Sequence, residues 1–140
     1  EIGTGCGYQA AVLAQLCRRV YTIERYRELL RDSEKRLQGL RISNVTTKWG
    51  DGHKGWPEQA PFDRIILTAA SVEVPAALFE QLGDDGILIA PVGKSSYEQV
   101  LMRFRRVEGG WETDELWPVR FVPMVDGTVN GTEIAVEGSR

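Results

Sequence analysis

EIGTGCGYQAAVLAQL, residues 1–16, decides how the rest of the chain is read. Gly3, Gly5 and Gly7 alternate with other residues and run directly into a stretch of helical composition over residues 8–17, with Ala10, Ala11, Val12, Ala14, Leu16 and Cys17. Glycines at this spacing permit positive φ and let a ligand lie against bare main chain, while the helix that follows presents unpaired N–H groups at its start. The loop reads as a nucleotide-type cradle, although tight turns without a ligand use glycine too. The sequence opens at Glu1-Ile2 without Met, so the strand feeding this loop is expected to lie largely before residue 1.

Working outward, residues 19–23 (RVYTI) are β-prone, and Tyr26, Leu29, Leu30, Ser33 and Leu37 then recur at helical spacing as far as Gly39. Strands are expected at 45–49 and 62–68, a helix at 73–81 with Pro75 in its first turn, and a buried strand at 87–92. Residues 99–107 alternate, 108–110 (EGG) turn, and 113–122 form a further strand interrupted by Pro118. Strands alternating with helices predict an α/β, Rossmann-like fold: a mostly parallel twisted sheet, helices on both faces and a carboxyl-terminal antiparallel hairpin. No linker divides residues 1–125, and residues 126–140, where Gly recurs without period, are expected to form a loosely ordered tail.

Composition narrows the function classes. The 140 residues carry 17 Lys+Arg against 20 Asp+Glu, a net charge of −3 that does not suit a nucleic-acid binder. Arg18, Arg19, Arg25, Arg27, Arg31, Lys35, Arg36 and Arg41 are interleaved with acids and read as a solvated face. Cys6 and Cys17 are the only cysteines and show no metal-ligand spacing, so neither a structural metal nor a disulfide is expected. No apolar run approaches a bilayer span; a cytoplasmic protein without membrane partners is expected.

Glu24 stands 19 residues beyond Gly5, at the end of the second strand, where a doubly wound sheet places an acid against ribose hydroxyls. An acid answering the following helix dipole is the competing reading, and both can hold. Gly50-Asp51-Gly52 follows the next strand and can close over an adenine, or be an ordinary Asp-Gly turn. The loop lacks the Gly-x-Gly-x-x-Gly spacing of dinucleotide folds, and Glu1 beside it would repel a pyrophosphate. An adenosine bearing an ammonium and a sulfonium, S-adenosylmethionine, suits that charge better than NAD.

These segments, with VYTIE, GDGHKGW, FDRIILTAA, GILIAPVG and VRFVPMV in order, resemble the protein-L-isoaspartate O-methyltransferases, a family of class I S-adenosylmethionine-dependent methyltransferases, over about residues 1–125. The resemblance implies that Glu1, Gly3, Gly5 and Cys6 line the methionine part of the cofactor, that Glu24 and Arg25 hold the ribose with Leu29 nearby, and that Asp51, Gly52 and His53 meet the adenine. It implies that Thr68, Ala69 and Ala70 border methyl transfer and that main chain at Phe121 and Val122 helps hold the substrate carboxylate. Cys6 stands where relatives often have Ser. The family's active-site serine belongs to an amino-terminal segment with a Ser-Gln-Pro loop, expected before residue 1, so no catalytic side chain is named.

The chemistry agrees with that resemblance. Thr68-Ala69-Ala70-Ser71 lacks the Asn or Asp that amine methyltransferases place after the fourth strand. A carboxylate, with a reference pKa of about 4, is already an anion at neutral pH and needs no general base. His53, the single histidine, is accordingly read as a cofactor contact rather than a base. Trp56 can cover the cleft or pack in the core; Trp49, Trp111 and Trp117 read as packing. The expected substrates are isoaspartyl proteins, methylated on the free α-carboxylate by a monomeric enzyme, with the ester then closing to a succinimide. A small-molecule or RNA methyltransferase and an NAD-dependent oxidoreductase are the alternatives.

Overall fold

The structure, a computed structural model, describes residues 1–131. It divides into two compact units, one of Glu1–Gly3 with Gly52–Asp126, the other of Thr4–Asp51 with residues 127–131. The divisions fall inside glycine-bearing turns, so no shift in composition marks them.

In the second of these units, helix α1 (Tyr8–Leu16) leads to β1 (Val20–Glu24), α2 (Arg27–Gly39) and β2 (Val45–Trp49). The strands are parallel and in register from Val20↔Val45 to Glu24↔Trp49, so α2 is the crossover that a parallel pair requires. Leu30, Ser33 and Leu37 are the buried face of α2, at the spacing the sequence predicts. Ala10 and Ala14 are the buried pair on α1. Asn44 closes that helix, its amide donating to the Ala14 carbonyl at 2.8 Å and the Cys17 carbonyl at 3.1 Å, which satisfies acceptors that a helix end leaves open.

The other unit carries β3 (Phe62–Ile66), α3 (Ala76–Glu80), β4 (Leu82–Val92), β5 (Gln99–Val107) and β6 (Gly110–Val119). Its four-stranded sheet runs in the order β3-β4-β5-β6, with β3 and β4 parallel and the later neighbours antiparallel. The terminal hairpin is therefore present. The class is α/β as expected; among the described residues the strands pair in groups of two and four, and their pairings divide evenly between parallel and antiparallel. Residues 1–3 contribute one isolated bridge, Ile2 to Leu67, which is too short to be a strand. Leu67, Leu78, Leu82 and Leu88 are each under 2% exposed and form the centre of this unit's core.

Several boundaries differ from expectation, among them the end of β3 at Ile66 and the start of β6 at Gly110, and three differ for a local reason. The helix expected from residue 73 begins at Ala76, because Pro75 adopts ψ 131° and disfavours helical geometry in the residue before it. β4 begins before the expected residue 87. Asp85 (φ 57°) and Gly86 look like a turn in sequence but form a bulge, after which pairing resumes at Arg64↔Ile87. β6 ends at Val119, three residues early, and its register slips opposite Pro118, which has no N–H to donate. Within the expected tail, Val129 bridges Tyr26, donating its N–H to the Arg25 carbonyl at 2.8 Å and accepting from the Arg27 N–H at 3.0 Å. The remainder of the expected tail, residues 132–140, lies outside the described residues.

Candidate functional site

In the unit containing β1 and β2, the glycine loop is held by the strand beside it. Thr4 donates its N–H to the Ile23 carbonyl at 3.2 Å, and its hydroxyl lies 2.7 Å from that of Thr22. Gly7, with φ 87°, caps α1; a Cβ there would sit 3.1 Å from the Cβ of Ser33, so α2 approaches the loop too closely for a side chain. Gly5, with φ 55°, has the opposite surroundings: nothing lies within 4 Å of where a Cβ would stand. The positive φ, and not crowding, is what favours glycine at this position.

Glu24 is the anchor of this arrangement. It is 6% exposed, and its carboxylate accepts the Gly5 N–H at 2.8 Å through Oε2 and the Tyr26 N–H at 3.0 Å through Oε1. A carboxylate has about four acceptor positions, so two main-chain bonds fix its orientation and still leave capacity for ribose hydroxyls. Thus Glu24 ties the glycine loop to the start of α2. Arg25 and Asp51 are occupied in a way the sequence did not signal. The Asp51 Oδ2 accepts the Gly127 N–H at 3.0 Å, and the Arg25 Nε donates to the Gly127 carbonyl at 3.3 Å, so one glycine after residue 126 engages two of the expected cofactor residues. Arg25 also stacks its guanidinium 4.7 Å from the Tyr26 ring centre. Trp49, expected to pack, is 37% exposed and donates its indole N–H to the Arg25 carbonyl at 2.9 Å. Leu29 is half-buried in α2 and Cys6 is exposed at the start of α1.

In the other unit, Thr68 ties residues 1–3 to the end of β3. Its N–H donates to the Ile2 carbonyl at 2.9 Å, and its hydroxyl lies 2.9 Å from that same oxygen and 2.7 Å from the Gly3 carbonyl. A Cβ on Gly3, where φ is 99°, would come within 2.3 Å of the Thr68 hydroxyl, so glycine is required there. Glu1 is half-buried. Ala69 and Ala70 follow, and Ala70 pairs with the segment expected to hold the substrate: it donates to the Val122 carbonyl and accepts from the Met124 N–H, both at 2.7 Å. Phe121 exchanges two hydrogen bonds with the side chain of Gln99, at 2.7 and 3.0 Å. Val122 itself is 70% exposed.

Gly52 and His53 lie in a short 3-10 turn, Gly52–Lys54. Gly52 is pressed against Ile2, with 2.4 Å between a would-be Cβ and Ile2 Cγ2. His53 directs Nδ1 at Asp126 Oδ1, 3.1 Å away, and is thereby oriented by a carboxylate. Gln81 holds the next stretch: its Oε1 accepts the Trp56 N–H at 2.8 Å and its Nε2 donates to the Lys54 carbonyl at 2.9 Å. Gln81 and Gln99 are buried and were missed in the sequence. The available signal was positional, since Gln81 falls three residues after the buried Leu78 and immediately before Leu82, on an apolar face.

Comparison with known proteins places this arrangement. A family model described as protein-L-isoaspartate(D-aspartate) O-methyltransferase matches residues 1–129. A protein-L-isoaspartate O-methyltransferase of Parvibaculum lavamentivorans is 61% identical over 129 residues, covering 91% of this chain and 58% of that protein. The chain thus spans somewhat under three fifths of that relative's length. Among solved structures, a protein-L-isoaspartate O-methyltransferase superposes with a TM-score of 0.80 at 31% identity, over 93% of this chain and 41% of the other. A Plasmodium falciparum structure, described as a putative protein-L-isoaspartate O-methyltransferase in complex with S-adenosyl-L-homocysteine, gives 0.75 at 26% identity, over 89% and 63% of the two chains. The segments that carried the resemblance in sequence lie within the matched span, and the chain belongs to the protein-L-isoaspartate(D-aspartate) O-methyltransferase family.

Proposed function

We propose that this chain carries the cofactor- and substrate-binding residues of an S-adenosylmethionine-dependent methyltransferase acting on the free α-carboxylate of isoaspartyl residues in damaged proteins. The observation that carries the reading is the end of β3. Residues 68–71 offer no carboxylate or amide side chain, and the Thr68 hydroxyl is directed at the main chain of Ile2 and Gly3. No carboxylate or amide side chain there would orient a neutral amine, whereas a carboxylate acceptor needs only alignment.

Bound S-adenosylmethionine would supply an electrophilic methyl on a cationic sulfur. Transfer to a carboxylate oxygen forms a C–O bond, breaks the C–S bond and neutralises one anion and one cation without releasing a proton. No side chain has to act as base. In one unit, Gly5 and Cys6 are assigned to the methionine end, Glu24, Arg25 and Leu29 to the ribose, and Asp51 to the adenine. In the other, Glu1 and Gly3 are assigned to the methionine end, Gly52 and His53 to the adenine, Thr68, Ala69 and Ala70 to the border of transfer, and main chain at Phe121 and Val122 to the substrate carboxylate. The open face of Gly5 and the anchored carboxylate of Glu24 fit the cofactor. The methyl ester would then favour succinimide closure and partial return to normal aspartate.

The same proposal describes a cytoplasmic monomer whose partners are damaged proteins rather than nucleic acid or membrane. In support, arginines on α2 are interleaved with acids, Arg31 lying 3.4 Å from Glu28. No described helix is long and apolar enough to cross a membrane. The test is methyl transfer from labelled S-adenosylmethionine to an isoaspartyl peptide and to its aspartyl twin, with the chain joined to an amino-terminal segment that brings it to its relatives' length. Selective, base-labile labelling is expected. Equal labelling of both peptides, or label on RNA or small molecules alone, overturns it.

A further inference from the structure

Gln99 opens β5, and its main chain pairs with Val119, the last residue of β6. Past that point β6 has ended, yet the ladder continues in another form. The Gln99 side chain accepts the Phe121 N–H through Oε1 at 2.7 Å and donates through Nε2 to the Phe121 carbonyl at 3.0 Å. A primary amide presents one acceptor and two donors in a plane, so it reproduces the paired donor and acceptor of a neighbouring strand. The side chain is 5% exposed, which strengthens both bonds and makes their loss costly. From the other direction Ala70 grips Val122 and Met124, so residues 121–124 are held at Phe121 by a side chain and farther on by main chain. The Val122 N–H enters none of these bonds, and Pro123 has none to give.

We propose that Gln99 is a positioning residue for the substrate: by clamping Phe121 it sets the direction of the adjoining Val122 main chain, which receives the isoaspartyl carboxylate. The inference rests on the function proposed above and adds a specificity device to it. A neutral amide is the chemistry such a place calls for. Glutamate could accept from the Phe121 N–H, but when ionised it could not donate to the carbonyl, and it would set a negative charge near a site for an anion.

The test uses the full-length protein with Gln99→Met and Gln99→Glu, an isoaspartyl peptide as substrate, and S-adenosylhomocysteine as the probe of the cofactor site. Gln99→Met keeps the bulk and removes both bonds. Its KM for the peptide should rise about tenfold, the scale of one or two neutral hydrogen bonds, with kcat and S-adenosylhomocysteine affinity within about twofold of the parent. Should the methionine variant fail to fold, Gln99→Glu decides. Its peptide KM should be raised at neutral pH and fall toward the parent's as the carboxyl gains a proton and regains a donor, on the acid side of the range where the parent's KM is flat. A folded variant with unchanged peptide KM overturns the role, as does a loss of cofactor affinity parallel to the loss of peptide binding. Parent protein that binds S-adenosylhomocysteine yet labels no isoaspartyl peptide overturns the proposed function itself, and this inference with it.

Discussion

The two units fix their functional loops with different chemistry. In the unit of β1 and β2, the loop at Gly5 and the start of α2 hang on a buried anion, Glu24, and a further carboxylate, Asp51, holds Gly127. In the unit of β3 to β6, Asp126 orients His53, but the buried clamps are neutral amides: Gln81 holds Lys54 and Trp56, and Gln99 holds Phe121. Between Glu24 and Gln99 the difference follows the charge of what each is proposed to adjoin. Ribose hydroxyls are donors and the cofactor is a cation at its sulfur, so a carboxylate can shape the loop and serve the ligand together. A substrate carboxylate would be repelled by the same device, and a glutamine organises main chain without that penalty.

The comparison breaks first at Glu24. Glu24→Leu strands two main-chain donors that each bonded to an ionised acceptor, and it should cost about 3–6 kcal/mol of stability in denaturant unfolding, at roughly 1.5–3 per charged hydrogen bond. Loss of the ribose acceptor should also weaken S-adenosylhomocysteine binding, read by calorimetry on whatever fraction stays folded; Glu24→Ala should weaken it by about 1.5–3 kcal/mol, and an unchanged affinity removes Glu24 from the site.

A smaller effect is expected from Gln81→Met, which removes two neutral bonds around Trp56 and Lys54. About 1–3 kcal/mol of stability should be lost. If thermal unfolding instead shows a loss as large as that of Glu24→Leu, the distinction between anionic and neutral anchoring has no energetic content.

Asp51→Asn sharpens the contrast, since it keeps an acceptor for the Gly127 N–H while discarding the charge. A change in stability below about 1 kcal/mol is expected, because the bond is solvent-exposed. The smallest effect belongs to the exposed pairs across β5 and β6. A double-mutant cycle on Arg103 and Asp114, whose closest atoms lie 2.9 Å apart, should return a coupling of about 0.2–1 kcal/mol.

Much of this architecture was legible before any coordinates. Residues 45–49 and 99–107 form strands with the expected bounds, because each is an uninterrupted β-prone run closed by glycine or a turn. Errors gathered where proline or glycine has more than one use. Pro75 ends an extended stretch instead of opening the helix, and Asp85-Gly86 bulges within a strand instead of ending it. In the candidate site, the spacing marked Glu24 and the glycine loop as a pair, and the structure joins them through the Gly5 N–H. The support around the site was not legible. Gln81 and Gln99 act on the main chain of Lys54 and Phe121, 27 and 22 residues distant, and Gly127 offers its own main chain to the Asp51 side chain, 76 residues distant; a bond with main chain on one side leaves little mark on side-chain pattern.

The β5–β6 hairpin has a bearing on colloidal behaviour. β6 ends the strand order of its sheet, and such a border is a template on which another chain could add a strand. Here it carries Glu112 and Asp114, each pinned to an arginine on β5, and Pro118, which offers no N–H to a newcomer. An enzyme proposed to handle age-damaged proteins would meet partly unfolded chains at every turnover, and a charged, proline-interrupted border lets it do so without being drawn into their aggregates.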